Sequence, residues 1–201
     1  MELGRRDIWT EIPTHSCRTR PTMNTLPDYL QPGLDIVLIG LNPGLSSVEI
    51  GHYFAFSRNR FWPAINGSGL LPEALDAEND HRMLEFGIGF TDVVKRPTAG
   101  SSDLRAADYR EWAPVLQQKL ELYKPRIAVF HGATAYRNYL RYAESINQKP
   151  SLGLQELRIG ASQVFLLPNP SPANAVYSLD DLTGWYVALR ELRDEPKAVV
   201  N

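Results

Sequence analysis

Four short apolar runs punctuate the chain: Asp35–Leu41, Gly87–Thr91, Arg126–Phe130 and Gln163–Pro168. Each is too brief for a helix and too continuously apolar for a half-exposed strand, the pattern of a strand buried on both faces. Between them the apolar residues recur at three- and four-residue steps. This predicts a helix around Asn59–Ser68, a helical stretch around Pro72–Glu85, and helices near Ala107–Tyr123 and Ala133–Tyr142. In the third of these, Trp112, Val115, Leu116, Leu120 and Tyr123 form one apolar face, and Pro125 stops the helix. In the fourth, Tyr136 and Tyr139 read as packing residues. A last helix begins at a capping box, Ser178 with Asp181, and buries Leu182, Trp185, Tyr186, Leu189 and Leu192. Strands alternating with helices predict an α/β three-layer sandwich with a four-stranded, mainly parallel, doubly wound central sheet. Residues 1–24 lack periodicity and carry Arg5, Arg6, Arg18 and Arg20, so they read as a flexible tail ahead of one domain over 25–201.

In a parallel sheet the carboxyl ends of the strands share one edge, where ligands bind. Each run here delivers a polar residue to that edge: Asn42, Asp92, His131 and Asn169. The connection from Asn169 to Tyr177 is long for a strand-to-helix turn, which invites a functional reading.

Composition narrows the chemistry. At 201 residues, 43% apolar and 22% charged, the chain suits a single globular domain. One cysteine, Cys17, excludes a disulfide framework, and the four scattered histidines give no ligand spacing, so no metal is expected. No apolar run approaches the roughly 18 residues of a membrane span, and the N-terminus lacks the apolar core of a secretory signal. The net charge of −2 advertises no nucleic acid globally, but Arg58, Arg60, Lys95 and Arg96 put positive charge near the strand-end edge.

The segment GLNPGLSS, Gly40–Ser47, matches neither phosphate-binding glycine signature. Gly40 and Gly44 would let the backbone turn tightly and approach a ligand, and a fixed Asn42 amide would hold a water or read a heterocycle edge. Together with GHYFAFSRNRFW, GIGFTDVVKRPT, PRIAVFHG and LPNPSPANA, in that order, the chain resembles the mismatch-specific uracil/thymine-DNA glycosylases, a branch of the uracil-DNA glycosylase superfamily, over about residues 26–193.

The resemblance implies a monofunctional, cofactor-free glycosylase acting as a monomer on mismatched or damaged double-stranded DNA. It would reside in the cytoplasm of a prokaryote or the nucleus of a eukaryote. It makes Asn42 the residue that positions the attacking water, and backbone N–H groups around it the donors to the leaving base. Asp92 is implied as a second catalytic group, against the alternatives of capping the next turn or pairing with Lys95 or Arg96. Leu41, Gly44, Ser47, Tyr53 and Phe54 become the base pocket, with Phe54 stacking on the extruded base and Ser47 lying near carbon 5. Thr98 and Ser101 match substrate-side hydroxyls, with solvent-facing or capping roles equally open, and His131 reads as packed beneath the site. Arg58, Arg60, Asn169, Ser171, Pro172, Ala173 and Asn174 complete the DNA-binding set. The wedge position matches Ala173, and Ala175 replaces the family's nearby arginine, which loosens the expected demand for guanine opposite the lesion. Two other classes compete: a silent damaged-DNA binding module on the same fold, and a small-molecule nucleoside enzyme.

Overall fold

The computed structural model describes residues 24–196. Apart from Asn24, the tail expected over 1–24 lies outside the described residues, as does Cys17. Strand β1 (Ile36–Gly40) leads through α1 (Leu45–Ile50), α2 (Phe61–Gly67) and a 3-10 segment (Ala77–Phe86) to β2 (Ile88–Asp92). Helix α3 (Ala106–Tyr123) carries the chain to β3 (Ile127–His131). Helix α4 (Ala133–Tyr142) then precedes β4 (Gly153–Leu154) and β5 (Gln163–Leu167), and α5 (Leu179–Asp194) closes the order.

The strands lie in the order β2-β1-β3-β5-β4. The first four are parallel and β4 is antiparallel to β5. The sheet therefore has five strands, not the four the pattern predicts. β4 is two residues long, and Gly153 enters it at φ +94°, so no alternation marks it in the sequence.

Side chains on each strand alternate between two cores. Ile36, Leu38, Phe90, Val129, Phe165 and Leu167 face the layer that contains α2 and α5. Val37, Ile39, Ala128, Phe130, Val164 and Leu166 face α3 and α4. Both faces are dry, which explains the unbroken apolar runs. Tyr136 and Tyr139 are buried in the second core. The buried stripe of α3 is Tyr109, Ala113, Leu116 and Leu120, with Trp112 only packed against its edge. Leu116 and Leu120 are buried as the apolar spacing predicts, while Val115 and Tyr123 are only half-buried and Tyr109 and Ala113 take their place on the buried face. Ser178 and Asp181 form the expected reciprocal cap of α5.

The segment before β1 is pinned to the sheet by a backbone bridge between Tyr29 and Phe90. Gly89 makes this approach feasible: a Cβ there would stand 2.2 Å from the Tyr29 carbonyl oxygen and 2.7 Å from Leu34 Cδ1. Gly89→Ala should therefore lower stability by ~1–3 kcal/mol through overpacking. The check is urea unfolding, read as a lower midpoint at unchanged slope.

Candidate active site

At the carboxyl edge of the sheet, the ends of β1, β2, β3 and β5 border one cleft of about 920 Å³. Asn42, Asp92, His131 and Asn169 all line it, as the strand-end pattern predicts. It opens where β1 and β3 send their following helices to opposite faces, the ligand crevice of doubly wound sheets.

The Asn42 amide is locked. Nδ2 donates to the carbonyl oxygens of Pro43 and Arg96, each at 3.1 Å, and to Thr98 Oγ1 at 2.7 Å. Two carbonyl acceptors force the NH2 group to that side, so Oδ1 faces the other way with an acceptor site to offer. The two loops meeting here are zipped together. Thr98 N donates to the Pro43 carbonyl and Leu45 N to the Thr98 carbonyl, while Val93 and Val94 donate to the carbonyls of Gly40 and Leu41. Thr98 is buried and its hydroxyl donates to the Gly100 carbonyl, so it supports Asn42 from below.

Asp92 is 5% exposed, and among the described residues its Oδ2 accepts no hydrogen bond. Lys95 Nζ lies 3.6 Å from Oδ2. Burial pushes the carboxyl up to about 6; Lys95 opposes the shift and Asp28 adds to it. Gly40 sits opposite Asp92 in the β1–β2 register, and a Cβ on it would be 2.4 Å from Asp92 Oδ1. Gly40 is thus needed to admit the carboxylate, whereas the sequence suggested a tight turn. Gly44 caps α1 in an ordinary extended conformation.

Phe54 adopts a left-handed backbone at φ +54°, a strain on the order of 1 kcal/mol for a bulky residue. One ring face stacks on Phe61 with centroids 4.0 Å apart, and the half-buried ring borders the cleft. Asp80, fully buried, holds this segment by accepting from Tyr53 N at 2.7 Å and Tyr29 Oη at 3.1 Å, with His52 Nδ1 also 3.1 Å away. His131 is buried against Tyr186, whose hydroxyl lies 2.8 Å from Nε2. Burial drives its imidazole down to about 3, so it is neutral.

A family model described as the uracil DNA glycosylase superfamily matches residues 27–193. The chain belongs to that superfamily. Its general activity is accordingly that of a DNA glycosylase, a hydrolase acting on DNA. Among solved structures, this glycosylase is similar to the solution NMR structure of a candidate uracil DNA glycosylase from Methanosarcina acetivorans. The two share 21% identity at a TM-score of 0.56, over 84% of this chain and 97% of that one. That likeness speaks for the fold.

The cleft is lined by Leu41, Asn42, Gly44, Ser47, Tyr53, Phe54 and Asp92, and by Thr98 and Ser101. Asn169, Ser171, Pro172, Ala173 and Asn174, from the loop after β5, line it as well. Arg58 and Arg60 are not among the lining residues. Arg58 is exposed, its guanidinium 5.1 Å above the Phe56 ring on the rim. Arg60 instead turns inward to the glycosylase's 169–177 loop. It donates to the carbonyls of Tyr177, Ser171 and Asn174, while its backbone N–H reaches the Pro170 carbonyl. Lys95 is buried, and Arg96 is held bidentately by Asp108 at 2.6 and 2.7 Å, so neither supplies the free positive charge its position suggested. Ala173 is exposed but small; three residues on, Val176 is 80% exposed, the most exposed large apolar side chain among the described residues. Sequence reasoning missed Asp80 and the inward role of Arg60; neither sits in a pattern that names its partners.

The raised carboxyl of Asp92 has a thermodynamic consequence. A group whose folded value exceeds its unfolded one contributes stability below the unfolded value and loses it as pH rises through about 6. Asp92→Asn should therefore unfold at higher denaturant than wild type at pH 8, by on the order of 1–3 kcal/mol, with the gap closing toward pH 4. Paired urea titrations at the two pH values check this.

Proposed function

We propose that this glycosylase extrudes uracil from duplex DNA and hydrolyses its bond to deoxyribose, leaving an abasic site for base excision repair. Uracil opposite guanine is the primary substrate in this reading; thymine and other modified pyrimidines follow, and the protein acts as a monomer. The observation that carries the proposal is the fixed Asn42 amide, which shares one cleft with a buried carboxylate and a half-buried aromatic ring.

A base inside the duplex is inaccessible to hydrolysis at its sugar carbon, so the nucleotide must leave the stack. The cleft is roomy enough for a pyrimidine with its sugar, and the free side of the Phe54 ring supplies a stacking face. As the bond to the base lengthens, the sugar becomes cationic and the leaving base anionic. A carboxylate in a dry site stabilises that cation far better than one in water. Water held by Asn42 Oδ1 attacks the sugar, and Asp92 takes up its proton. Ser47 presents only a small hydroxyl to the cleft, which accommodates a substituent on the base. A silent binding module would have no use for a carboxylate kept poorly solvated beside a held amide, so catalysis is the better account.

The test uses labelled duplexes carrying U or T opposite G or A, with single-stranded uracil alongside, each followed by alkali cleavage. Cleavage of the G:U strand is expected, with Asn42→Ala and Asp92→Ala each slower by about 100-fold or more. Intact strands at high enzyme excess would reject the proposal. In the same assay Ala175→Arg should raise the ratio of G:U to A:U rates, by adding a donor beside the loop facing the opposite strand; an unchanged ratio would count against that role.

A further inference from the structure

Behind Asp92 lies a chain of alternating charges, buried at Lys95 and half-exposed at Asp28 and Lys119, that the proposed reaction does not use. Lys95, 5% exposed, sends Nζ to Asp28 Oδ1 at 2.9 Å and donates to the Tyr53 hydroxyl at 3.3 Å. Asp28 is itself held by Lys119 Nζ on Oδ2 at 2.5 Å and by the Thr91 hydroxyl on Oδ1 at 2.7 Å. The sequence of charges is Lys119 on α3, Asp28 in the segment before β1, Lys95 in the turn after β2, and Asp92 at the end of β2. That first segment is fastened at both ends: Thr25 Oγ1 donates to the Lys95 carbonyl at 2.7 Å, and Tyr29 bridges to Phe90. Tyr53 gives its own proton to the Pro27 carbonyl at 3.0 Å, so toward Lys95 it acts only as an acceptor.

We propose that Lys95, tethered by Asp28, is a positioning residue for Asp92: it sets the charge that Asp92 presents to the substrate. The inference rests on the catalytic reading of Asp92 given above. A lone buried carboxyl keeps its proton and is useless as a base; a cation within reach favours the ionised form. A cation fully hydrogen-bonded to Asp92 would overshoot, making a stable carboxylate too weak to accept a proton. Asp28 prevents this by drawing Nζ to 2.9 Å and leaving Asp92 at 3.6 Å. Lys119 moderates that pull from the far side of Asp28. The groups that act on Asp92 from the surrounding elements are Lys95, Asp28 and Tyr53; Gly40, its neighbour on β1, contributes no side chain.

The arrangement predicts shifts of opposite sign from adjacent substitutions, which general damage to the fold would not produce. Single-turnover rates on a G:U duplex, taken from roughly pH 5 to 9, give the rising limb that reports Asp92. Lys95→Met should move that limb up by about one pH unit, whereas Lys95→Arg, which keeps the charge, should leave it near wild type. Asp28→Asn should move it down, because Lys95 is then freed toward Asp92. Lys119→Met, at a half-exposed site that tolerates change, should move it up slightly. Circular dichroism establishes which variants fold; should Lys95→Met fail, the opposed shifts of Asp28→Asn and Lys119→Met decide. A limb fixed at the wild-type position in the folded variants, with rates merely scaled down, overturns the proposal. Asp92→Asn separates the two levels. If it keeps the wild-type limb, the reading of Asp92 falls and this proposal with it. If it flattens the limb while the other variants leave theirs unmoved, only the role of Lys95 falls.

Discussion

Taking a carboxylate out of water costs several kcal/mol unless charges and hydrogen bonds replace the lost solvent, and the Asp92 site is arranged around that cost. Gly40 gives up its side chain so that Asp92 Oδ1 fits against β1. Lys95 supplies an opposite charge but stops short of a hydrogen bond. Asp28 and Lys119 neutralise the remainder, and the segment carrying Asp28 is held by Gly89, which lets Tyr29 pair with Phe90. Changes at residues far apart in sequence thus bear on one group.

Two buried aspartates are treated differently by the fold. Asp80 has three donors around it and fixes the chain at His52–Phe54, including the strained backbone of Phe54. It is satisfied and inert. Asp92, in a comparably dry place, has Oδ2 without a hydrogen bond among the described residues, only the Lys95 ammonium 3.6 Å away. Under-satisfied buried polar groups are rare in folded proteins, and their presence in a cleft points to reactivity. Asn42 shows the same division within one side chain: the nitrogen is consumed by structure, and the oxygen is the atom to which the proposed mechanism gives the attacking water.

Much of this was legible in the sequence because its causes are local. The strands announce themselves by apolar runs, and the shared direction of parallel strands brings Asn42, Asp92, His131 and Asn169 to one edge. The cap of α5 is a four-residue signal. What was not legible depends on partners remote in the chain. Arg60 read as a DNA contact because it follows the first motif loop near the strand-end edge; its acceptors are backbone carbonyls more than a hundred residues away. Lys95 looked like free positive charge until the segment before β1 brought Asp28 to it. Gly40 read as a turn glycine, because nothing local reveals a carboxylate packed against its α-carbon. β4 is too short to carry a period at all.

The clamp of Arg60 on the 169–177 loop carries one more consequence. Three carbonyls of that loop converge on a single guanidinium, Asn174 closes back onto the Asn169 carbonyl, and prolines stiffen the stretch. Such a segment surrenders its conformational freedom when the chain folds, not when it meets DNA. In the proposed encounter with a duplex, this wall of the cleft would then bring no ordering penalty of its own, and it would meet the DNA as a preformed edge.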